Sequence, residues 1–164
     1  MTIDKSNCPV PFDQQPLNEY LSLKKNCLFS WSLSRVKIFI YGFLLIFFTL
    51  FLVMGSLLLP FVYNYSIFKI LSLNLVVSSL LLLCVFIRLY LGWSYILKRL
   101  LSATIFYEES GWYDGQVWVK TPDYLTQDRL VGFYQIMPGL VRIKYVCFIL
   151  IISFLFFLSC YRLL

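Results

Sequence analysis

The sequence predicts an all-α membrane protein with three transmembrane helices and a small β-hairpin plus amphipathic helix on the cytoplasmic or stromal side. Of its 164 residues, 60% are apolar and only 13% are charged, whereas a soluble domain carries about 25% charged residues. This composition excludes an ordinary soluble enzyme and a disordered chain. Histidine is absent, which removes the side chain most used for acid–base catalysis near neutral pH.

Three apolar stretches are long enough to cross a bilayer: 38–59, 70–91 and 145–161. The first two have 22 residues each, and such a helix covers ~33 Å against a hydrocarbon core of ~30 Å. The basic residues Lys69, Arg88 and Arg162 fall at span ends, where their long side chains reach the headgroups. The spans divide the chain into an N-terminal segment 1–37, a short loop 60–69, a polar segment 92–144 and a tail 162–164.

The distribution of charge predicts the orientation of the spans. Eleven of the 14 Lys and Arg residues, and all eight acidic residues, lie before the first span or between the second and third, and a twelfth, Arg88, lies at the adjoining end of the second span. The positive-inside rule therefore places segments 1–37 and 92–144 in the cytoplasm or plastid stroma, with 60–69 and 162–164 on the outer side. The net charge of +6 is explained by this orientation, and without a dense basic patch no nucleic-acid partner is expected. No cleaved targeting signal is expected, since 37 mostly polar residues precede a full-length span.

Local patterns predict three elements in the polar segments. A short helix is expected after Pro16, over 17–24, and Phe29 and Trp31 are expected to anchor the chain at the membrane interface. The β-branched and aromatic runs 103–107 and 116–120 predict two strands.

Turn and capping residues define the rest of the second polar segment. Asp114-Gly115 predicts a two-residue hairpin turn between the strands. Thr121-Pro122-Asp123 is typical of a helix start, with Thr as N-cap, Pro at the first helical position and Asp favoured by the helix dipole. This helix is expected to run to about Gln135 and to break at Pro138-Gly139 before the last span.

Two motifs, one in each polar segment, resemble a known family. The first is made of Cys8-Pro9-Val10-Pro11, Gln14-Gln15-Pro16-Leu17-Asn18-Glu19-Tyr20 and Phe29-Ser30-Trp31. The second is made of Tyr107-Glu108-Glu109-Ser110-Gly111-Trp112-Tyr113-Asp114-Gly115-Gln116-Val117-Trp118 and Asp128-Arg129-Leu130. They are similar to the hypothetical chloroplast reading frame thirty-six family of plastid and cyanobacterial membrane proteins, which has nucleus-encoded plant relatives. The resemblance implies a thylakoid or other plastid membrane and a link to photosynthesis, with no established activity or catalytic residues. The expected location is a plastid membrane, thylakoid rather than envelope, with the N-terminus in the stroma as the charge distribution predicts.

The function expected from these observations is a non-enzymatic factor that helps to assemble or maintain a photosynthetic complex. Its partners would be membrane lipid and a protein complex of the photosynthetic membrane, and no cofactor is predicted. The motif residues are the candidate docking residues: Pro11, Gln15, Pro16, Glu19, Tyr20, Trp31, Trp112, Tyr113, Asp114, Gly115, Trp118, Asp128 and Arg129. For the aromatic ones the alternative is an interfacial belt. For Asp128 and Arg129 the favoured interpretation is structural pairing within the polar segments.

A second hypothesis is a small cofactor-binding membrane protein or enzyme, and a third is a minor structural subunit of a photosynthetic complex. Glu108, Glu109 and Asp114 are candidates for a cation or an acid–base pair, against a solvated hairpin whose charges prevent edge pairing. Asn74, one turn before Ser78, is a candidate pigment ligand or a hydrogen-bonding group between helices. The five cysteines form no metal pattern, and a redox role of Cys8 and Cys27 stays open.

Overall fold

A computed structural model of the protein describes residues 10–58, 60, 66–107 and 115–163. Within these residues, six helices, two strands and two short turns follow one another. They are the 3-10 turn Phe12–Gln14, α1 Pro16–Lys25, α2 Cys27–Ser32, α3 Val36–Leu58, α4 Ile67–Leu101, β1 Thr104–Tyr107, β2 Gln116–Val119, α5 Pro122–Val131, the π turn Gly132–Ile136 and α6 Met137–Leu163.

Among the described residues, three helices are long and apolar enough to cross a membrane: α3, α4 and the continuous helical stretch Pro122–Leu163. The prediction of three long apolar helices is therefore confirmed. The helix α4 has 35 residues and packs against both α3 and α6. It is the most buried of the three, because it is the central helix of the bundle.

Contacts of aromatic rings mark two levels along the axis of this helix bundle, one towards each end. At one end the rings of Phe39 and Phe86 lie 6.1 Å apart, and the guanidinium of Arg142 lies 5.2 Å from the centre of the Phe39 ring. At the other end the ammonium of Lys69 lies 5.7 Å from the centre of the Tyr161 ring. Thus α3 and α6 run parallel to each other and antiparallel to α4. We call the first level the basic end, since it also carries the exposed Arg88, two residues beyond Phe86.

The predicted helix break at Pro138-Gly139 is wrong. The π turn joins α5 to α6, so helical structure runs through Pro138 without interruption. A proline inside an α-helix clashes with the carbonyl four residues earlier, which here belongs to Tyr134. That carbonyl lies in the π turn, whose wider backbone relieves the clash. Gly139 is also required by packing, because a Cβ there would collide with the Leu33 side chain.

The two predicted strands form an antiparallel hairpin, in which Thr104 pairs with Val119 and Tyr107 with Gln116. Because Tyr107 pairs with Gln116, the connection is the eight residues 108–115, and the predicted two-residue turn at Asp114-Gly115 is wrong. One face of the hairpin buries Ile105 and Tyr107 against Val10 and Trp118. We call this cluster the hairpin core.

Candidate docking surface

The N-terminal segment packs onto the part of α4 that continues past the basic end. Tyr20 is buried, and its ring lies 6.0 Å from that of Trp93 on α4. Its hydroxyl donates a hydrogen bond to Oε1 of Gln135 in the π turn, at 2.7 Å. One tyrosine thus joins α1 to two other elements, so this docking candidate faces the interior.

Glu19 and Arg99 form an ion pair between α1 and α4. The guanidinium of Arg99 also donates to the carbonyl oxygens of Gln14, at 3.0 Å, and of Phe106, at 3.5 Å. Arg99 therefore ties the N-terminal segment and β1 to the same turn of α4. Burial raises the pKa of the Glu19 carboxyl above its ordinary value, against the opposite pull of Arg99. Its Oε2 is buried without a hydrogen-bond partner among the described residues.

The raised pKa of Glu19 has a measurable consequence for stability. A carboxyl that binds its proton more tightly in the folded state makes the free energy of unfolding rise as the pH falls through the folded pKa towards the ordinary value of 4.5. We expect the thermal midpoint of the wild type in mild detergent to increase relative to Glu19→Gln over this acidification. If the relative midpoint falls instead, attraction to Arg99 outweighs desolvation and the assignment is wrong.

Lys120, at the end of β2, forms the second ion pair. Its ammonium lies 2.6 Å from Oδ2 of Asp128, and the side chains of both residues are buried. It also donates to the carbonyl oxygens of Arg99, at 3.0 Å, and Leu100, at 3.2 Å. These carbonyls belong to the last turn of α4, where carbonyl oxygens accept no hydrogen bond from an N–H group of the same helix. Burial raises the pKa of the Asp128 carboxyl, while Lys120 acts in the opposite direction. Asp128 is thus a structural group joining α4, the hairpin and α5, which is the structural pairing favoured for it above, and its use in docking stays a prediction.

The two described tryptophans among the candidates are also in intramolecular contacts. Trp31 stacks on Phe39 at 5.1 Å, and its Nε1 donates to the Ile38 carbonyl at 3.1 Å. A Cβ at Gly42 would collide with this indole. Trp118 belongs to the hairpin core and lies edge-on to the Tyr124 ring at 5.9 Å. Substituting either residue would therefore disturb the fold before it tested a partner.

The other candidates are distributed between surface and interior. Pro16 is buried, and Nε2 of Gln15 donates to the Val10 carbonyl at 3.2 Å. Pro11, Gly115 and Arg129 are exposed. The remaining candidates lie outside the described residues: Glu108, Glu109, Trp112, Tyr113 and Asp114, together with Cys8.

The second face of the hairpin is apolar and exposed. Phe106 is 70% exposed, Val117 53% and Val119 66%. Phe106 pairs with Val117 in the register, and Val119 pairs with Thr104 beside them. We call Phe106, Val117 and Val119 the hairpin outer face. A contiguous apolar patch of this kind is typical of an interaction surface, and it is the strongest docking candidate in the part of the chain that the structure describes.

Asn74 connects α4 with α3. Its Nδ2 donates to the Phe51 carbonyl at 3.0 Å, and its Oδ1 accepts a weaker bond from the Ser78 hydroxyl at 3.4 Å. A Cβ at Gly55 would lie 3.0 Å from the same nitrogen, so glycine permits this approach. Within the described ranges, no group of three or more Cys, Asp or Glu side chains is close enough to hold a metal ion.

Three features of this region were not identified from the sequence: the structural roles of Lys120 and Arg99, and the hairpin outer face. The two cations were counted only as charges that set orientation, because their partners Asp128 and Glu19 are met only through the tertiary fold. The outer face did have a signal. Both strands carry apolar residues at consecutive positions, which predicts that both faces of the hairpin are apolar. A hairpin with one solvated face needs apolar residues only at alternate positions.

The comparison with known proteins identifies the family. Residues 8–149 match the family described as CGLD27-like, conserved in the green lineage and diatoms 27. The chain belongs to this family. Together with the relatives named ycf36 described next, this match confirms the family resemblance of the two motifs.

Relatives come from algae and a land plant. The "Uncharacterized protein ycf36" of Cyanophora paradoxa is 47% identical over 84% of this chain and 87% of its own length. The protein of the same name from Porphyra purpurea is 46% identical over 88% of each chain. The chloroplastic protein "conserved in the green lineage and diatoms 27" of Arabidopsis thaliana is 44% identical over 85% of this chain, but over only 43% of its own length. The family is therefore plastid-associated. No solved structure matches the chain.

Proposed function

We propose that this protein is a three-span protein of the plastid membrane, in the thylakoid rather than the envelope. It acts without catalysis, as a docking factor in the assembly or maintenance of a photosynthetic complex. The hairpin outer face binds a subunit of that complex. The exposure of this apolar face, at a distance from the apolar part of the bundle, carries the proposal.

The distance between the hairpin outer face and the apolar part of the bundle can be measured along α4. Arg88 is the first charged residue after the apolar run of this helix, so it marks the boundary of the hydrocarbon layer. Arg99, which bonds to the Phe106 carbonyl, lies ~16 Å further along at ~1.5 Å per residue. The headgroup layer of one leaflet is only ~5–8 Å thick. Lipid chains therefore do not reach the hairpin outer face, and a protein partner covers it.

The proposed orientation places the hairpin in the stroma. The basic end of the bundle carries Arg88 and Arg142, and Lys37 lies just before Phe39 at the same level. The opposite level has Lys69 and Arg162. More positive charge on the hairpin side puts that side in the stroma.

Co-purification tests the docking surface. We expect the affinity-tagged wild type, extracted from thylakoids in mild detergent, to retain subunits of one photosynthetic complex. The double variant Phe106→Ser/Val117→Ser should retain about tenfold less, since truncating central apolar contacts costs this much binding or more. Both side chains point away from the hairpin core, so the thermal midpoint should change little.

The matched control is Leu21→Ser, which removes an exposed apolar side chain from α1 instead. It should co-purify like the wild type. Equal retention of the complex by the double variant and the control would refute the docking surface. Recovery of only a second copy of this chain would mean that the face mediates self-association. A constant molar ratio of this protein to the complex would indicate a permanent subunit. A substoichiometric yield of the complex would indicate an assembly or maintenance factor.

A further inference from the structure

Arg142 is a half-buried cation without an acidic partner among the described residues. Its Nη1 donates to the Ser34 carbonyl at 2.8 Å, and its guanidinium covers the Phe39 ring. The ion pairs of the described chain are Arg99 with Glu19 and Lys120 with Asp128, and neither involves Arg142. A guanidinium has five N–H donors, so most of its donors remain available to an anion.

Further hydrogen-bond donors lie in the chain segment that begins at Ser34, whose carbonyl binds Arg142. The Ser34 hydroxyl oxygen is buried and has no hydrogen-bond partner among the described residues. Arg35 is the next residue and is exposed. The helix α3 then starts at Val36, and the backbone N–H groups of 36–38 have no partner in the described structure. The first turn of a helix presents such N–H groups together with the positive end of the dipole.

We propose that Ser34, Arg35, Arg142 and the first turn of α3 form a site for the phosphate of an anionic membrane lipid. We call it the anion recess. The guanidinium of Arg142 and the Ser34 hydroxyl donate to phosphate oxygens, and the α3 N–H groups and Arg35 complete the positive environment. Such charge-assisted bonds are the strong ones in proteins. The inference rests on the membrane placement proposed above.

The surface next to the recess favours a lipid over a free anion. Ile38, Tyr41 and Leu45 are exposed apolar residues on α3, and their spacing places them on one face of the helix. This face leads from the recess towards the far end of the bundle. A phosphate in the recess would therefore have its acyl chains along α3, at the level where the headgroup and hydrocarbon layers meet.

Lipid binding is measured by native mass spectrometry of the purified full chain in a neutral detergent. The two probes are dimyristoyl phosphatidylglycerol and dimyristoyl phosphatidylcholine, which share their acyl chains and differ in headgroup charge. We expect one phosphatidylglycerol to be retained about tenfold more strongly than phosphatidylcholine, because the choline ammonium cancels the charge of its phosphate and is repelled by Arg35 and Arg142. Arg35→Gln should reduce this preference about fivefold, because it removes a positive charge that faces the headgroup. Ser34→Ala removes a donor to the phosphate that both lipids share, so it should weaken the retention of both about fivefold.

The variants separate binding from folding. The side chains of Ser34 and Arg35 have no hydrogen-bonding partner in the described chain, so their loss leaves the protein contacts of the recess in place. Lys144→Gln is the matched control, because it removes an exposed charge near Arg142, and it should keep the preference. Equal retention of the two lipids, or an equal loss in Lys144→Gln and Arg35→Gln, would overturn the proposal. Displacement of phosphatidylglycerol by an equal concentration of inorganic phosphate would assign the recess to free anions. None of these outcomes depends on whether a photosynthetic complex co-purifies.

Discussion

Replacing Lys120 by Met is expected to lower the free energy of unfolding by about 3–5 kcal/mol, because removing one member of a buried ion pair leaves the other charge uncompensated. Asp128 would keep a buried carboxylate without its cation. The carbonyls of Arg99 and Leu100 would also lose the donor that covers the end of α4. Unfolding in mild detergent, followed by circular dichroism, measures the change. Lys98→Met is the control. It removes an exposed lysine from the turn of α4 that contains Arg99 and Leu100, and it should change the free energy of unfolding by less than about 0.5 kcal/mol.

A double-variant cycle separates the ion pair from the capping contacts. Combining Lys120→Met with Asp128→Leu removes both charges, and a buried pair replaced by apolar groups is often tolerated. We expect the double variant to regain about half of the lost stability. The remainder is due to the two lost Lys120 bonds, above all to the Leu100 carbonyl, since the Arg99 carbonyl still accepts from the Ser102 hydroxyl. If Lys120→Met is no more harmful than Lys98→Met, Lys120 does not hold the hairpin to α4 and α5.

The second large effect is expected at Trp93. Its side chain is fully buried, lies 5.6 Å from the Phe29 ring, and donates through Nε1 to the Ser32 hydroxyl at 2.8 Å. Trp93→Ala should cost about 3–5 kcal/mol, as for other large buried aromatic side chains. It should also loosen α1 and α2, so trypsin should cut faster after Lys24 and Lys25.

Trp93→Phe is the matched control. It keeps an aromatic ring between α4 and the N-terminal helices and loses the indole N–H and part of the ring volume, a change of about 1–2 kcal/mol. Cleavage after Lys24 should stay near the wild-type rate. If Trp93→Ala is cut no faster than Trp93→Phe, the N-terminal segment does not depend on this contact.

The long apolar helices and the strands were predictable because their signals are local. Runs of about twenty apolar residues specify a helix that can span a bilayer, and β-branched runs specify strands. The continuity of helix through Pro138 was not predictable from the same rules. The steric penalty of a proline is local, but its relief depends on the π turn, which also presents Gln135 to Tyr20.

The docking candidates show the same limit. The motifs were recognisable, yet the residues expected at a partner surface, such as Tyr20, Glu19 and Asp128, are those that hold the polar segments together. Aromatic and charged side chains suit an interface and a small buried core equally well. Only the fold distinguishes the two uses, since partners such as Arg99 lie 80 residues away from Glu19.

Photo-crosslinking from the hairpin outer face in intact thylakoid membranes tests the central claim most directly. A photoreactive phenylalanine analogue at position 106 should crosslink to a subunit of one photosynthetic complex. The same analogue at position 105, on the buried face, should give crosslinks within the chain only. Crosslinks from position 106 to lipid alone, or the same products from both positions, would contradict the account.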